Sequence, residues 1–208
     1  MELTSTSFED GGVIPDRYAL AKPVPGGPVT LSDNVSPHLA WSDVPGDTRS
    51  FTIICHDPVC PSKPDDVNQP NREVPADLPR VDFFHWAAVD LSADLLLTDE
   101  GEFSSGVVPH GQQVANGPYG CRQGLNDYTG WFSGDPDMEG DYYGYDGPAP
   151  PWNDSLVHRY VFTLYALDVE KADVEGDFGG QDVRAAIAGH ILAEASVTGT
   201  YTQNPRLR

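Results

Sequence analysis

The stretch His158-Arg-Tyr-Val-Phe-Thr-Leu-Tyr-Ala-Leu167 decides the fold class. It is rich in aromatic and β-branched residues and nearly apolar at both alternating positions, the pattern of a strand covered on two sides. Toward the N-terminus lie two similar runs. Ser50-Phe-Thr-Ile-Ile-Cys-His56 is expected to stop at Asp57-Pro58, because proline lacks the N–H that a ladder needs, and Phe83-Phe-His-Trp-Ala-Ala-Val-Asp-Leu91 follows it. Toward the C-terminus, Ala195-Ser-Val-Thr-Gly-Thr-Tyr-Thr202 alternates like a strand with one solvated face. Between them, Val183, Ile187 and Ile191 with Ala186 and Ala195 predict a helix over 183–194, with Asp182 as its N-cap. A shorter helix is expected at 173–178. No internal repeat is present. Many strands broken by Gly and Pro, then one late helix and a strand, predict a mostly β fold: an antiparallel β-sandwich with one or two peripheral helices.

The chain of 208 residues fits a single domain, 1–208, with two long loops at 61–82 and 126–154. Its 39% hydrophobic content lies below the usual value of about 45–50%, and 21 Gly with 19 Pro punctuate it heavily. Acids outnumber bases 32 to 12, for a net charge of −20, and the acids are 23 Asp against 9 Glu while lysines number three. They are spread along the chain, which describes a solvated acidic surface and not a tail. Self-repulsion of this size is screened only when the Debye length falls to about 3 Å near 1 M salt, so a halophilic protein is expected. No basic patch exists to release phosphate counterions, which argues against nucleic acid. No apolar run reaches the roughly 20 residues of a membrane span, and the N-terminus lacks the features of a signal peptide, so a cytoplasmic protein without transmembrane segments is expected. Cys55, Cys60 and Cys121 are odd in number and form no C-x-x-C pair, consistent with reduced thiols and neither a disulfide framework nor a zinc site.

Catalytic signatures are missing: there is no G-x-S-x-G, no G-x-x-x-x-G-K-[ST], no G-x-G-x-x-G and no H-E-x-x-H. What remains is a set of polar residues at strand ends. Asp57 precedes Pro58, and His85 sits inside an otherwise apolar strand, where an imidazole must find a partner or a pocket. Gly144-Tyr-Asp-Gly-Pro-Ala-Pro-Pro151 is expected to be a stiff turn with exposed amides, Tyr145 and Trp152 within reach of a pocket. His158 and Tyr160 open the last central strand.

Four blocks carry a resemblance. Asp57-Pro58-Val59-Cys60-Pro61, Phe84-His85-Trp86, Gly147-Pro148-Ala149-Pro150-Pro151 and His158-Arg159-Tyr160, preceded by Ser36-Pro37-His38-Leu39-Ala40-Trp41, resemble the phosphatidylethanolamine-binding protein family, in its prokaryotic, Raf kinase inhibitor-like branch. The resemblance implies a β-sandwich with a small anion pocket at one end, built here by Asp57, Pro58, His85, Tyr145, Gly147, Pro148, His158 and Tyr160. It implies a small anionic or phosphorylated ligand and no cofactor, and it extends to a homodimer and to a protein partner. Two departures stand out. Val59 replaces an acid usual in the family, and the segment 61–82 is inserted.

Three function classes follow in order: a non-enzymatic small-ligand binder, a protein-binding inhibitor of a kinase or protease, and a hydrolase using His85 with Asp57. The last lacks a positioned Ser or Cys nucleophile, and a metal-assisted version would need His56, Asp57 and His85 to converge. Asp135, Asp137, Glu139 and Asp146 also match a calcium loop in part, with Glu and Asp at places where the motif prefers other acids and with no flanking helices apparent.

Overall fold

A computed structural model describes residues 1–208. Along the chain run β1 (Glu2–Thr4), β2 (Ala21–Val24), β3 (Gly27–Leu31), β4 (Leu39–Ser42), β5 (Ser50–Pro61), β6 (Arg80–Ser92), β7 (Leu97–Thr98), β8 (Arg122–Gln123), α1 (Tyr128–Trp131), β9 (His158–Leu167), α2 (Gly180–Ile187) and β10 (Ile191–Tyr201). The main sheet has the order β10-β9-β5-β6-β8 and is antiparallel throughout. A smaller sheet, β1-β4-β7, lies across it, and β2 and β3 form a hairpin at one end. No helix is long and apolar enough to cross a membrane.

The periodicity of β5 explains the layering. Phe51, Ile53 and Cys55 enter the core between the two sheets, with Leu39 and Trp41 opposite them, Trp86 from β6 and Phe162 from β9. Ile54 points the other way, into a second core with Phe84, Ala87, Val183 and Ile187, where α2 covers the main sheet. Both faces of the central strands are therefore dry, which is why they lack a polar stripe.

The predicted architecture holds, and three local expectations do not. First, β5 does not end at Asp57-Pro58. Its pairing with β9 stops at His56, so Pro58 leaves no ladder donor missing there, and an extra residue between Asp57 and Cys60 bulges against β6. Second, the helix is shorter than 183–194 and starts earlier: α2 begins at Gly180, with Asp182 in its first turn accepting the Gly179 N–H at 2.8 Å. Ile191 opens β10 instead of closing the helix, because β10 pairs with β9 along its whole length. Gly180 allows this close packing, since a Cβ there would lie 2.1 Å from the Phe84 ring. Third, 173–178 is not helical; its apolar residues Val174 and Phe178 are buried against the α2 side of the sheet.

Candidate functional site

Bulges in β6 position the site. The pairing passes from Cys55 opposite Trp86 to His56 opposite Phe84, so His85 is an extra residue. Phe84 joins the α2-side core while Trp86 joins the inter-sheet core. His85 is thereby turned to the same side as Trp86, at the end of the sandwich, where a cavity of about 680 Å³ opens. Asp57, His85, His158 and Tyr160 all line it. The rings of His85 and Tyr160 meet edge to face at 5.0 Å. Three distant stretches of chain, β5, β6 and β9, thus converge on one floor. Above the floor the walls are mostly apolar, with Leu20, Phe83 and Phe132 packed around Tyr128, Val67 also lining the cavity, and the exposed Trp131 and Lys63 among the lining residues.

His158 is bonded at both ring nitrogens, Nδ1 to Asp57 Oδ2 at 2.5 Å and Nε2 to Asp154 Oδ2 at 3.0 Å. Two acceptors require two N–H donors, hence an imidazolium. Burial pulls its pKa down, but the bonds to Asp154 and Asp57 outweigh it and push the value up to about 9. Asp154 is itself completely buried. Burial alone would raise its carboxyl, yet His158 and the Arg80 guanidinium hold it below the usual range. Arg80 grips it with both terminal nitrogens, at 2.6 and 3.1 Å.

His85 is equally buried and behaves oppositely. Its Nδ1–H donates to the Asp146 carbonyl at 2.8 Å, which leaves Nε2 unprotonated and without a protein partner at the cavity wall. Burial lowers its pKa to about 4, a shift that Asp57 and the Asp146 bond only partly offset. Behind it, the Asp146 carboxylate accepts Asn34 Nδ2 and Asn126 Nδ2, each at 2.8 Å, and burial raises it to about 6 against those two bonds. Asp57 closes the local bulge by accepting the Val59 N–H at 2.7 Å.

Half of the expected site residues take other places. Tyr145 lies in the inter-sheet core, its hydroxyl donating to Tyr18 O at 2.8 Å, and does not line the cavity. Gly147 and Pro148 back the floor without lining it. The amides of this turn are buried and spent, Gly144 on Gly124 O, Asp146 on His85 O and Gly147 on Asn34 Oδ1; Ala149, Pro150 and Pro151 form the wall instead. Pro58 stands in the β5 bulge and does not reach the cavity. His158 reaches it, but its donors are committed to carboxylates. His56 faces the α2 side, against Phe84 and Asp82, so it cannot join Asp57 and His85 around a metal, and no three His, Cys, Asp or Glu residues cluster closely enough to hold one. In the calcium-like loop, the Asp135 carboxylate caps Asp137 N–H while Asp146 is buried with Asn34 and Asn126, so the acids do not converge. Asp154, Arg80, Asn34 and Asn126 escaped the sequence reading, and Asp146 was noted only as a calcium-loop acid. Only Asp154, four positions before His158, offered a local hint.

Comparison with known proteins bears on the chain as a whole. A family model described as phosphatidylethanolamine-binding protein matches residues 4–202. The chain is 33% identical to the UPF0098 protein YbhB of Escherichia coli over 202 residues, covering 97% of this chain and all of that protein. It is also 33% identical to a UPF0098 protein of Methanothermobacter thermautotrophicus, covering 97% and 98% of the two chains. Among solved structures it resembles Escherichia coli YbcL, described as a member of the mammalian PEBP family, with a TM-score of 0.67 at 24% identity over 97% of both chains. A putative PEBP homologue from Chlamydia trachomatis gives 0.63 at 29% identity over 96% and 95%.

Proposed function

The chain belongs to the phosphatidylethanolamine-binding protein family, and from that membership we propose that its cavity is a non-enzymatic site for a small ligand carrying a phosphoryl or carboxyl group on an apolar body. One observation carries the reading: at the floor only Tyr160 Oη and His85 Nε2 lack a protein partner while facing the cavity, and the groups around them are already bonded. Asp57 would ordinarily repel an anion, but its charge is committed to His158. The Tyr160 hydroxyl donates to a ligand oxygen, and His85 accepts a ligand proton or takes up its own. Apolar walls around a small polar floor suit a ligand whose body is hydrophobic. The absence of an activated nucleophile supports a binding role, since burial and the neighbouring Asp57 push the Cys60 thiol up to about 12.

Calorimetric titration in molar KCl tests this with inorganic phosphate, phenyl phosphate and uncharged phenol. Phenyl phosphate is expected to bind more tightly than the other two. Its affinity should rise as pH falls from 7 to 5, by up to about tenfold per unit, because the anion favours protonated His85. His85→Gln and Tyr160→Phe should each weaken it by about tenfold, the loss of one hydrogen bond to a charged group. Absence of binding heat for every probe across that pH range would sink the proposal.

A further inference from the structure

We propose that Asp154 is the positioning residue of this pocket: one carboxylate pins the 62–79 insertion to His158, so that wall and floor become ordered together. The inference rests on the ligand reading only where it calls the insertion a wall of the binding site. The insertion between β5 and β6 supplies Ser62, Lys63, Pro64, Val67 and Asn68 to the cavity. It has little means of holding itself there, because only Val67 and Val74 of 62–79 are buried. A segment so poor in apolar burial depends on hydrogen bonds to the rest of the protein.

Those bonds converge on residues 153–155. Asn153 Nδ2 donates to Asp66 O at 2.8 Å and to Arg72 O at 3.1 Å. Val74 N donates to Asn153 O at 3.1 Å, and Ser155 N returns a bond to Val74 O at 3.2 Å. Arg80, where the insertion ends, donates to Pro75 O at 2.8 Å and Val59 O at 3.0 Å, besides its fork onto Asp154. Asp154 Oδ2 meets both Arg80 Nη1 and His158 Nε2, so one atom joins the root of the insertion to the floor.

The charged and titratable groups around His158 are Asp57 and Cys60 on β5, Arg80 and His85 on β6, Tyr160 on its own strand, and Asp154. Neutralising Asp154 leaves the imidazolium with Asp57 alone and leaves the Arg80 fork without a charged acceptor. An Asp154→Asn variant separates this role from general structural support through two readouts. In nitrogen-15 NMR, the His158 titration midpoint should fall by about one unit or more from its wild-type value. Under limited trypsin, cleavage after Arg72, inside the insertion, should accelerate about tenfold in a protein that still unfolds cooperatively. An unchanged midpoint or an unchanged cleavage rate overturns the proposal. Should Asp154→Asn not fold, Arg80→Lys keeps the charge but loses the fork; faster cleavage after Arg72 then supports the inference and unchanged cleavage overturns it. Phenyl phosphate titration of the wild-type protein is scored separately: no binding there refutes the ligand reading, while NMR and proteolysis still judge Asp154.

Discussion

Two histidines share one cavity at nearly equal burial, 3% exposed for His85 and 1% for His158, and they carry opposite charge states. The β9 side of the floor is an ionic chain of Arg80, Asp154, His158 and Asp57, alternating in sign. The β6 side is a neutral imidazole on a backbone carbonyl, with a carboxylate behind it held only by amides. The difference teaches that depth of burial does not set charge here. Burial disfavours the ionised form of both rings, and only a bonded carboxylate at each nitrogen reverses that preference.

The largest break in this comparison comes from His158→Ala. It leaves Asp57 and Asp154 facing an empty place, and removing one partner from a buried ionic network costs about 3–5 kcal/mol. Chemical denaturation in molar KCl should show that loss, whereas His85→Ala, which removes no charge at neutral pH, should cost less. A reversal of that order would contradict the charge assignment.

Next in size is a pH effect confined to the alkaline side. The folded His158 has a pKa of about 9, above its ordinary 6.5, so its contribution is complete below pH 6.5 and is lost as pH rises through 9. A shift of this size corresponds to roughly 3 kcal/mol. On the acid side, His85 is lowered to about 4, and its contribution is lost as pH falls toward that value; Asp146, raised to about 6, returns stability over much of the same range. Denaturation midpoints should therefore fall between pH 6.5 and 9 and change less between 6.5 and 4. A flat alkaline limb would refute the ionic chain.

A smaller effect separates two tyrosines. Tyr145→Phe removes a buried bond to Tyr18 O and should cost about 1 kcal/mol of stability without touching ligand affinity. Tyr160→Phe should do the reverse, since its hydroxyl bonds nothing in the protein; equal behaviour of the two in denaturation and calorimetry would blur the floor drawn here. The smallest effect is a contrast in salt. Raising KCl to about 1 M shortens the Debye length to about 3 Å, so the melting temperature should rise by several degrees for a surface of net charge −20. The His158 midpoint, sealed from solvent, should stay in place under the same change.

Much of the scaffold was legible because its signals are local. Near-continuous apolar runs at 50–56, 83–91 and 158–167 place three neighbouring strands of the main sheet, and Val183 with Ile187 marks the covering helix. The helix boundary failed at Ile191, since an apolar residue spaced for a helix also suits a strand, and pairing with β9 settled the matter. Asp57, His85, His158 and Tyr160 stood out as polar groups interrupting or opening apolar runs, and each lines the cavity.

The amino-acid order alone determined the sandwich and the acidic surface, because periodicity and composition are properties of neighbours along the chain, and its family resemblance pointed to the four polar residues of the floor. Only the folded arrangement decided what each does. A bulge turns His85 toward the cavity, Tyr145 packs behind it in the inter-sheet core, and Asp57 and Asp154 arrive from positions far apart in sequence to hold His158 as a cation. Charge state and hydrogen-bond supply depend on which groups lie within about 3 Å, and that is a property of space and not of order.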